Sequence, residues 1–390
     1  MKRRVPVSRR AAGVQPFQVM ELMARARAAE AAGRDVIHME MGEPDFPAAP
    51  AVIEAAHRAL TSDQTHYCAA LGLPALREAI AGFYQDRYRL NIGSQRIVVT
   101  PGSSGALQLV MAALLDVGDE ILMPDPAYPC NRQIAASLGA LTVALPVDAG
   151  NNYQPTAQQV AAAWTTRSRA LMLASPSNPT GSMLDLSTIG QLAAATAGRD
   201  GRLVMDEIYH GLSYGCDAPS ALQADDGTFV VNSFSKYFGM TGFRIGWLVV
   251  PSEFVPVIER LAQNLFISAS TLGQHAALAA FQPGTIEILE QRRAEFQRRR
   301  DYLVPALRDI GFSIPRLPDG AFYIYADASR FTDDGLAFSH QLLDKAGVVI
   351  TPGMDFGVHR ASHHVRFAYA ASLPRLEEGV ERLRKYLCAG

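Results

Sequence analysis

Through the middle of the chain, short β-branched or apolar runs alternate with longer Ala- and Leu-rich amphipathic stretches. The runs Arg96–Thr100, Glu120–Met123, Leu141–Leu145, Ala170–Ala174, Leu203–Asp206, Thr228–Asn232 and Ile245–Val250 predict strands. Between several of them, Ser104–Leu115, Pro129–Leu138, Thr156–Trp164 and Leu186–Ala197 predict helices. Strand–helix alternation of this kind builds βαβ units, so the expected class is α/β, with a mostly parallel seven-stranded sheet sandwiched by helices. The unbroken apolar run Ala170–Ala174 fits a strand covered on both faces better than a half-exposed one.

The two ends read differently. Phe17–Ala32 predicts a helix that stops at Gly33, and Val36–Met41 a short strand. Beyond Pro283 comes a long helix rich in Arg and Glu, Gln291–Ile310. Then Ala321–Ala326, a helix near Ala337–Ala346, Val348–Thr351, His364–Ala368 and a last helix near Arg375–Leu387 suggest a smaller α/β unit. The expected division is a large domain over 46–285 and a small one over 286–390, with 1–45 packing against the small one.

Composition narrows the function classes. Of 390 residues, 48% are hydrophobic and 19% charged, which excludes disordered, collagen-like and disulfide-scaffold chains. With 36 basic against 38 acidic residues there is no overall positive field to attract nucleic acid or anionic lipid. Lys2, Arg3, Arg4, Arg9 and Arg10 make a basic start, but Ala11–Gln18 is too short and mixed for the apolar core of a signal peptide. It reads as a solvated tail. No apolar run is long enough to span a membrane. Cys68, Cys130, Cys216 and Cys388 are scattered without CxxC or metal-site spacing, as expected of reduced thiols in a cytoplasmic protein without a bound metal.

Four stretches carry candidate chemistry. In VNSFSKYFGMTGFRIGW (231–247), Ser233, Ser235 and Lys236 follow a strand, with Arg244 downstream. A lysine in so apolar and Gly-interrupted a run loses solvation, which lowers its pKa and makes the amine a usable nucleophile toward carbonyls. The hydroxyls and the arginine supply donors for a dianion such as phosphate. In GRLVMDEIY (201–209), Asp206 and Glu207 close an apolar strand, where doubly wound sheets hold ligands; only one of these neighbours can face the site. In TPGSSGAL (100–107), Gly102, Ser103 and Ser104 lead a strand into a helix, a place for backbone amides to cradle phosphate. It matches neither the GxGxxG fingerprint nor the P-loop. In SPSNPTG (175–181), Pro176 and Pro179 stiffen a loop presenting Asn178. Singly, each stretch is also what a plain turn looks like; their combination is not.

Together with MGEPDF (41–46), PDPAYP (124–129) and HHVRFAYA (363–370), these stretches resemble the class I and II pyridoxal-phosphate aminotransferases of fold type I, over nearly the whole chain. The resemblance implies that Lys236 forms the Schiff base with pyridoxal phosphate and later shuttles the substrate proton. Asp206 would keep the pyridine nitrogen protonated, Asn178 and Tyr209 would hold the phenolic oxygen, and Tyr128 would stack on the ring. Gly102, Ser103, Ser104, Ser233, Ser235 and Arg244 would form the phosphate site. Tyr67 would reach the phosphate of a neighbouring subunit, which implies a homodimer with shared active sites. Arg366, with Gly42 and Asn178 nearby, would grip the substrate α-carboxylate, a task suited to a planar guanidinium.

The implied activity is ping-pong transfer of an amino group from an amino-acid donor to a 2-oxo-acid acceptor. Aspartate-type relatives commonly carry a lysine in the first phosphate turn, where Ser104 stands here, so strict aspartate specificity is not expected. His66, beside Tyr67, is a poor replacement. The alternatives are a β-lyase acting on cysteine conjugates through the same electron sink, and a transcriptional regulator. The regulator would need an N-terminal DNA-binding domain, and only a helix and a strand precede Met41.

Overall fold

The computed structural model of the chain describes residues 7–388. Lys2, Arg3 and Arg4 of the basic start lie outside them; Arg9 and Arg10 are exposed on the short helix Arg9–Gly13.

Each of the seven expected strands forms, with ends shifted by a residue or two. After the two-residue β1 (Ile37–His38) come β2 (Ile97–Pro101), β3 (Glu120–Asp125), β4 (Leu141–Pro146), β5 (Ser168–Ala174), β6 (Arg202–Asp206), β7 (Phe229–Ser233) and β8 (Ile245–Val249). They make one sheet in the order β2-β8-β7-β6-β5-β3-β4. It is parallel from β7 through β6, β5 and β3 to β4, and β8 runs antiparallel to both its neighbours. The central strands are buried on both faces, which is why they read as continuous apolar runs.

Local chemistry sets the helix ends. Asp185 accepts the Thr188 amide at 2.7 Å at the start of Leu186–Ala197, Thr156 and Gln159 form a capping box before Ala157–Ala163, and Gly139 ends Pro129–Leu138 at φ 87°. Four further helices, Pro50–Thr61, Pro74–Tyr88, Val255–Leu265 and Thr271–Leu278, were not expected from the sequence.

The C-terminal part follows the expected outline. The charged helix is longer than expected, Pro283–Ile310. β9 (Tyr323–Asp327), β11 (Thr351–Pro352) and β12 (His364–Ala368) form an antiparallel sheet in the order β11-β12-β9, and β10 (Val348–Val349) pairs in parallel with β1. The expected strand Val36–Met41 thus shrinks to two paired residues. The residues after β1 form a strap in which the Glu40 and Gly42 carbonyls face the cavity described below.

The helix Gln18–Ala31 has no cap of its own, since Phe17 at the capping position offers no acceptor. Asp355, far along the chain, accepts from the Gln18 and Val19 amides at 2.8 and 2.9 Å. That bond pins the helix over the mouth of the cavity.

Candidate active site

A cavity of about 740 Å³ opens where β5 and β6 end, at Ala174 and Asp206. Eleven of the residues singled out in the sequence line it: Gly42, Ser103, Ser104, Tyr128, Asn178, Asp206, Tyr209, Ser235, Lys236, Arg244 and Arg366. Ser233 and Gly102 stand just behind it, and Tyr67 does not reach it.

Lys236 sits in the turn after β7. Its neighbours Phe234 and Phe238 pack 4.9 Å apart, with Phe234 5.0 Å from Trp247, so the aromatic cluster fixes the turn and aims the lysine away from itself. Nζ donates to the Gly42 carbonyl at 2.6 Å and lies 5.9 Å from the centre of the Tyr209 ring. Burial, then the positive charges of Arg366 and Arg244, pull its pKa down from 10.5 to about 8, against the opposing pull of Glu43 and Asp206. At pH 7 about a tenth of such an amine is unprotonated, far more than for a solvated lysine.

Asp206 closes β6 with its side chain in the cavity. Glu207 turns the other way, accepting from the Ala221 amide at 2.7 Å and the Ser220 hydroxyl at 3.1 Å, so strand alternation divides the adjacent acids as expected. Asp206 is buried, and among the described residues only the Ile208 amide donates to its carboxyl group, at 3.1 Å. Burial raises its pKa to about 7. A carboxylate kept so dry is under-partnered until a cationic N–H reaches it.

At one end of the cavity Ser103 and Ser104 open the helix Gly102–Leu114, facing Ser235 and Arg244. The Ser233 hydroxyl lies 3.0 Å from that of Ser235 and accepts the Ser235 amide at 3.1 Å, which holds Ser235 toward the helix start. Arg244 adopts φ 56° and donates to the Thr241 carbonyl at 3.0 Å. The cradle depends on two glycines. A Cβ on Gly102 would stand 2.4 Å from Arg244 Nη2, and one on Gly246 would stand 2.7 Å from both Gly102 C and Ser103 N. Helix-start amides, three hydroxyls and a guanidinium around a cleft that admits no further side chain make an anion site of phosphate size.

At the other end is Arg366, 3% exposed. Nη1 donates to Asn178 Oδ1 at 2.8 Å, and Nη2 to the Glu40 carbonyl at 2.7 Å and Thr351 Oγ1 at 3.1 Å; Nε is buried and has no partner. The guanidinium lies over the rings of Tyr323, at 4.2 Å, and Phe356, at 4.9 Å. A buried guanidinium with a spare N–H fits a carboxylate. Tyr209 shares a 2.9 Å hydrogen bond with Tyr323, and burial pushes its hydroxyl well above the usual range.

Tyr67 is 81% exposed, and His66 beside it is also exposed, with Nε2 3.6 Å from Asp63. The sequence reading missed the roof, where the helix Gln18–Ala31 and the residue before it contribute Phe17, Val19, Met20, Met23 and Arg27. It also missed Leu107 on the wall and Tyr323, the partner of Tyr209. Nothing local marks these residues, because their role follows from where a distant aspartate docks the helix.

The sequence model of the family described as aminotransferase class I and II matches residues 34–383. The chain is similar to a valine–pyruvate aminotransferase of Mycobacterium tuberculosis, 39% identical over 96% of this chain and 97% of that one. An aspartate/prephenate aminotransferase of Thermus thermophilus is 33% identical over 98% of each chain. Among solved structures, an aminotransferase from Mycobacterium tuberculosis superposes with a TM-score of 0.95 at 38% identity, covering 99% of this chain and all of that one.

Proposed function

The chain belongs to the class I and II aminotransferases, and from that premise we propose that it moves an amino group from a donor with a mainly apolar side chain to a 2-oxo acid, using pyridoxal phosphate held in the 740 Å³ cavity. Transamination between an amino acid and a 2-oxo acid is the family's reaction, and the cofactor is the family's own. Donor class, site roles and assembly are our reading.

One observation carries it. A lysine biased toward its neutral form, a buried carboxyl, an anion cradle and an arginine with a spare N–H all line a single cavity. These residues suit the cofactor group by group: Lys236 as covalent anchor, Arg244 with Ser103, Ser104, Ser233 and Ser235 for the phosphate, Asp206 for the ring nitrogen, Asn178 and Tyr209 for the ring oxygen, and Tyr128 against the ring face. Once bound, pyridoxal phosphate supplies a sink for the electron pair left when an amino acid loses its α-proton.

The chain's own groups do the rest. Arg366 takes the substrate α-carboxylate and so orients the α-hydrogen toward Lys236. Lys236 Nζ, whose burial favours the neutral amine, accepts that proton in its unprotonated form and returns it. Asp206 gains a partner for its buried charge when it meets a protonated ring nitrogen. The roof is mainly apolar, Phe17, Val19, Met20 and Met23 with Leu107 on the wall, Arg27 being its one cationic side chain, and Ser104 adds no charge at the far end of the cavity. Both features favour apolar donors over aspartate.

The same reading includes a homodimer in which the exposed Tyr67 reaches a partner's phosphate site, a small unit over 286–390 that moves against 46–285 together with segment 1–45, and a cytoplasmic location. Among the described residues, no helix is long and apolar enough to cross a membrane.

Borohydride treatment of the isolated protein with pyridoxal phosphate should fix the cofactor on the Lys236 peptide. Valine, alanine, methionine, phenylalanine and aspartate should then be compared as sole donors by the spectral change of the bound cofactor. An unlabelled Lys236 peptide overturns the site reading, and aspartate as the best donor overturns the specificity.

A further inference from the structure

A second cavity, of about 370 Å³, lies in the seam between two loops of the large sheet and the C-terminal sheet. The segments beside it are tied to one another through side-chain and backbone acceptors. The Asp125 carboxylate, at the end of β3, accepts the amides of Val358 and His359 at 3.0–3.2 Å, and the Ala127 amide donates to the Phe356 carbonyl at 2.8 Å. Val147, Tyr153, Tyr325 and Phe356 form a small apolar cluster separate from the main core.

The polar groups lining the cavity fall into two sets. Its acids are already engaged: Asp148 Oδ1 accepts the Gly150 amide at 2.8 Å, and Asp327 Oδ1 accepts the Ser329 amide at 2.8 Å. Its donors are not. Tyr325 is 5% exposed and its hydroxyl has no partner among the described residues. His364 is 6% exposed and donates from Nδ1 to the Arg360 carbonyl at 2.9 Å; burial favours its neutral form, in which Nε2 can only accept, so this ring serves the cavity as a wall. Arg360 has only Asp327 at 3.6 Å, and the His359 ring makes no hydrogen bond among the described residues. A buried hydroxyl with no partner is costly without a ligand or water.

The shape adds a second requirement. The rings of Tyr325 and His364 stack at 4.7 Å and 18°, with Tyr153 edge-on at 6.1 Å. Pro126 and Pro315 close the other sides. A flat apolar body fits against such walls, and an anionic head fits unspent donors. Inorganic phosphate satisfies only the second condition.

We propose that this seam is a binding site for a small organic carboxylate with a planar apolar body, distinct from the aminotransferase cavity. Tyr325, Arg360 and His359 take the carboxylate, and the aromatic and proline walls, His364 among them, take the body. The site borders the reaction machinery without sharing lining residues with it. Pro126 lies two residues before Tyr128, and Tyr325 is the register partner of Arg366.

No histidine among the described residues lines the 740 Å³ cavity, so histidine rings report the seam alone. Side-chain resonances of His359 and His364, assigned by single His→Gln variants, should be followed in the full-length protein during titration with benzoate, benzamide and inorganic phosphate. Benzoate should shift both rings saturably, benzamide should not, and phosphate should bind at least roughly tenfold more weakly. Tyr325→Phe, which removes a hydroxyl with no protein partner, and Arg360→Gln at an exposed position should each weaken benzoate by roughly tenfold. Absent or non-saturable shifts, equal binding of benzamide or phosphate, or unchanged affinity in both variants would overturn the assignment.

Discussion

Replacing Arg366 with lysine separates the grip on the substrate carboxylate from the charge that attracts it. Arginine has five N–H donors. Three are directed at protein acceptors, Asn178 Oδ1, the Glu40 carbonyl and Thr351 Oγ1. Two remain, on Nε and Nη1; Nε shares an edge of the fork with Nη2, so a two-point grip forms when the carboxylate takes the Nε–H and one Nη2–H now directed at a protein acceptor. Lysine keeps the positive charge but offers a single nitrogen on a different reach, so one of the two charge-assisted bonds is lost. A bond of that type contributes about 1.5–3 kcal/mol, so Arg366→Lys should lower kcat/KM for valine by roughly 10- to 150-fold. The assay is the single-turnover half-reaction with valine and, in parallel, with valinol, which has the same side chain and amine but no carboxylate. For valinol the wild-type and variant rates should agree within about threefold. A variant that loses both substrates equally has lost general site geometry, and one that keeps valine has shown that Arg366 is not the carboxylate receptor. Either result refutes the reasoning.

Three further outcomes follow from the same geometry. Folded Asp206 holds its proton up to about pH 7, whereas the unfolded chain gives it up near 3.8, so its contribution to stability is present below pH 3.8 and is lost as pH rises toward 7. Asp206→Asn should therefore gain thermal stability over the wild type in cofactor-free protein, by about 1 kcal/mol for each pH unit across that window, while transamination falls roughly 10- to 100-fold; a gap that does not grow between pH 5 and pH 8 would count against it. Ser104→Lys places a charge at the first turn of the helix Gly102–Leu114, on the cavity wall, and should raise kcat/KM for aspartate relative to valine by roughly tenfold, read from a two-donor competition. Gly246→Ala drives a methyl to 2.7 Å from the backbone of Gly102 and Ser103, so the protein should lose about 1–3 kcal/mol in thermal denaturation and bind pyridoxal phosphate more weakly, with apo and holo melting curves as the measurement.

The parts legible from sequence were those in which a residue's own chemistry states its surroundings. Ala170–Ala174 reads as a doubly buried strand because no polar residue interrupts it, and Lys236 reads as reactive because its neighbours are Phe, Tyr and Gly. The helices at Pro50–Thr61 and Pro74–Tyr88 escaped for different reasons. Pro50–Thr61 buries two alanines among its three inward residues, a weak hydrophobic signal, whereas Pro74–Tyr88 carries Leu76, Ile80, Tyr84 and Tyr88 at a four-residue spacing, a helical signal present in the sequence. The roof of the cavity was out of reach for a stronger reason. Phe17, Met20 and Met23 sit where they do because the carboxylate of Asp355 accepts the first amides of their helix, and no local window contains both partners.

The strap after β1 sharpens the point. Its carbonyls at Glu40 and Gly42 bind Arg366 and Lys236 respectively, two residues apart, so that main-chain atoms set the positions of the two side chains that define the site. Backbone acceptors look alike in every sequence, and only Gly42 leaves a trace there. A Cβ at that position would stand 2.9 Å from the Tyr323 hydroxyl, so the glycine is what allows strap, lysine and Tyr323 to converge. The geometry of this cavity is therefore specified as much by main-chain carbonyls of the strap as by the side chains they hold. By that logic Gly42→Ala should impair carboxylate and amine handling together, whereas Arg366→Lys impairs the first alone.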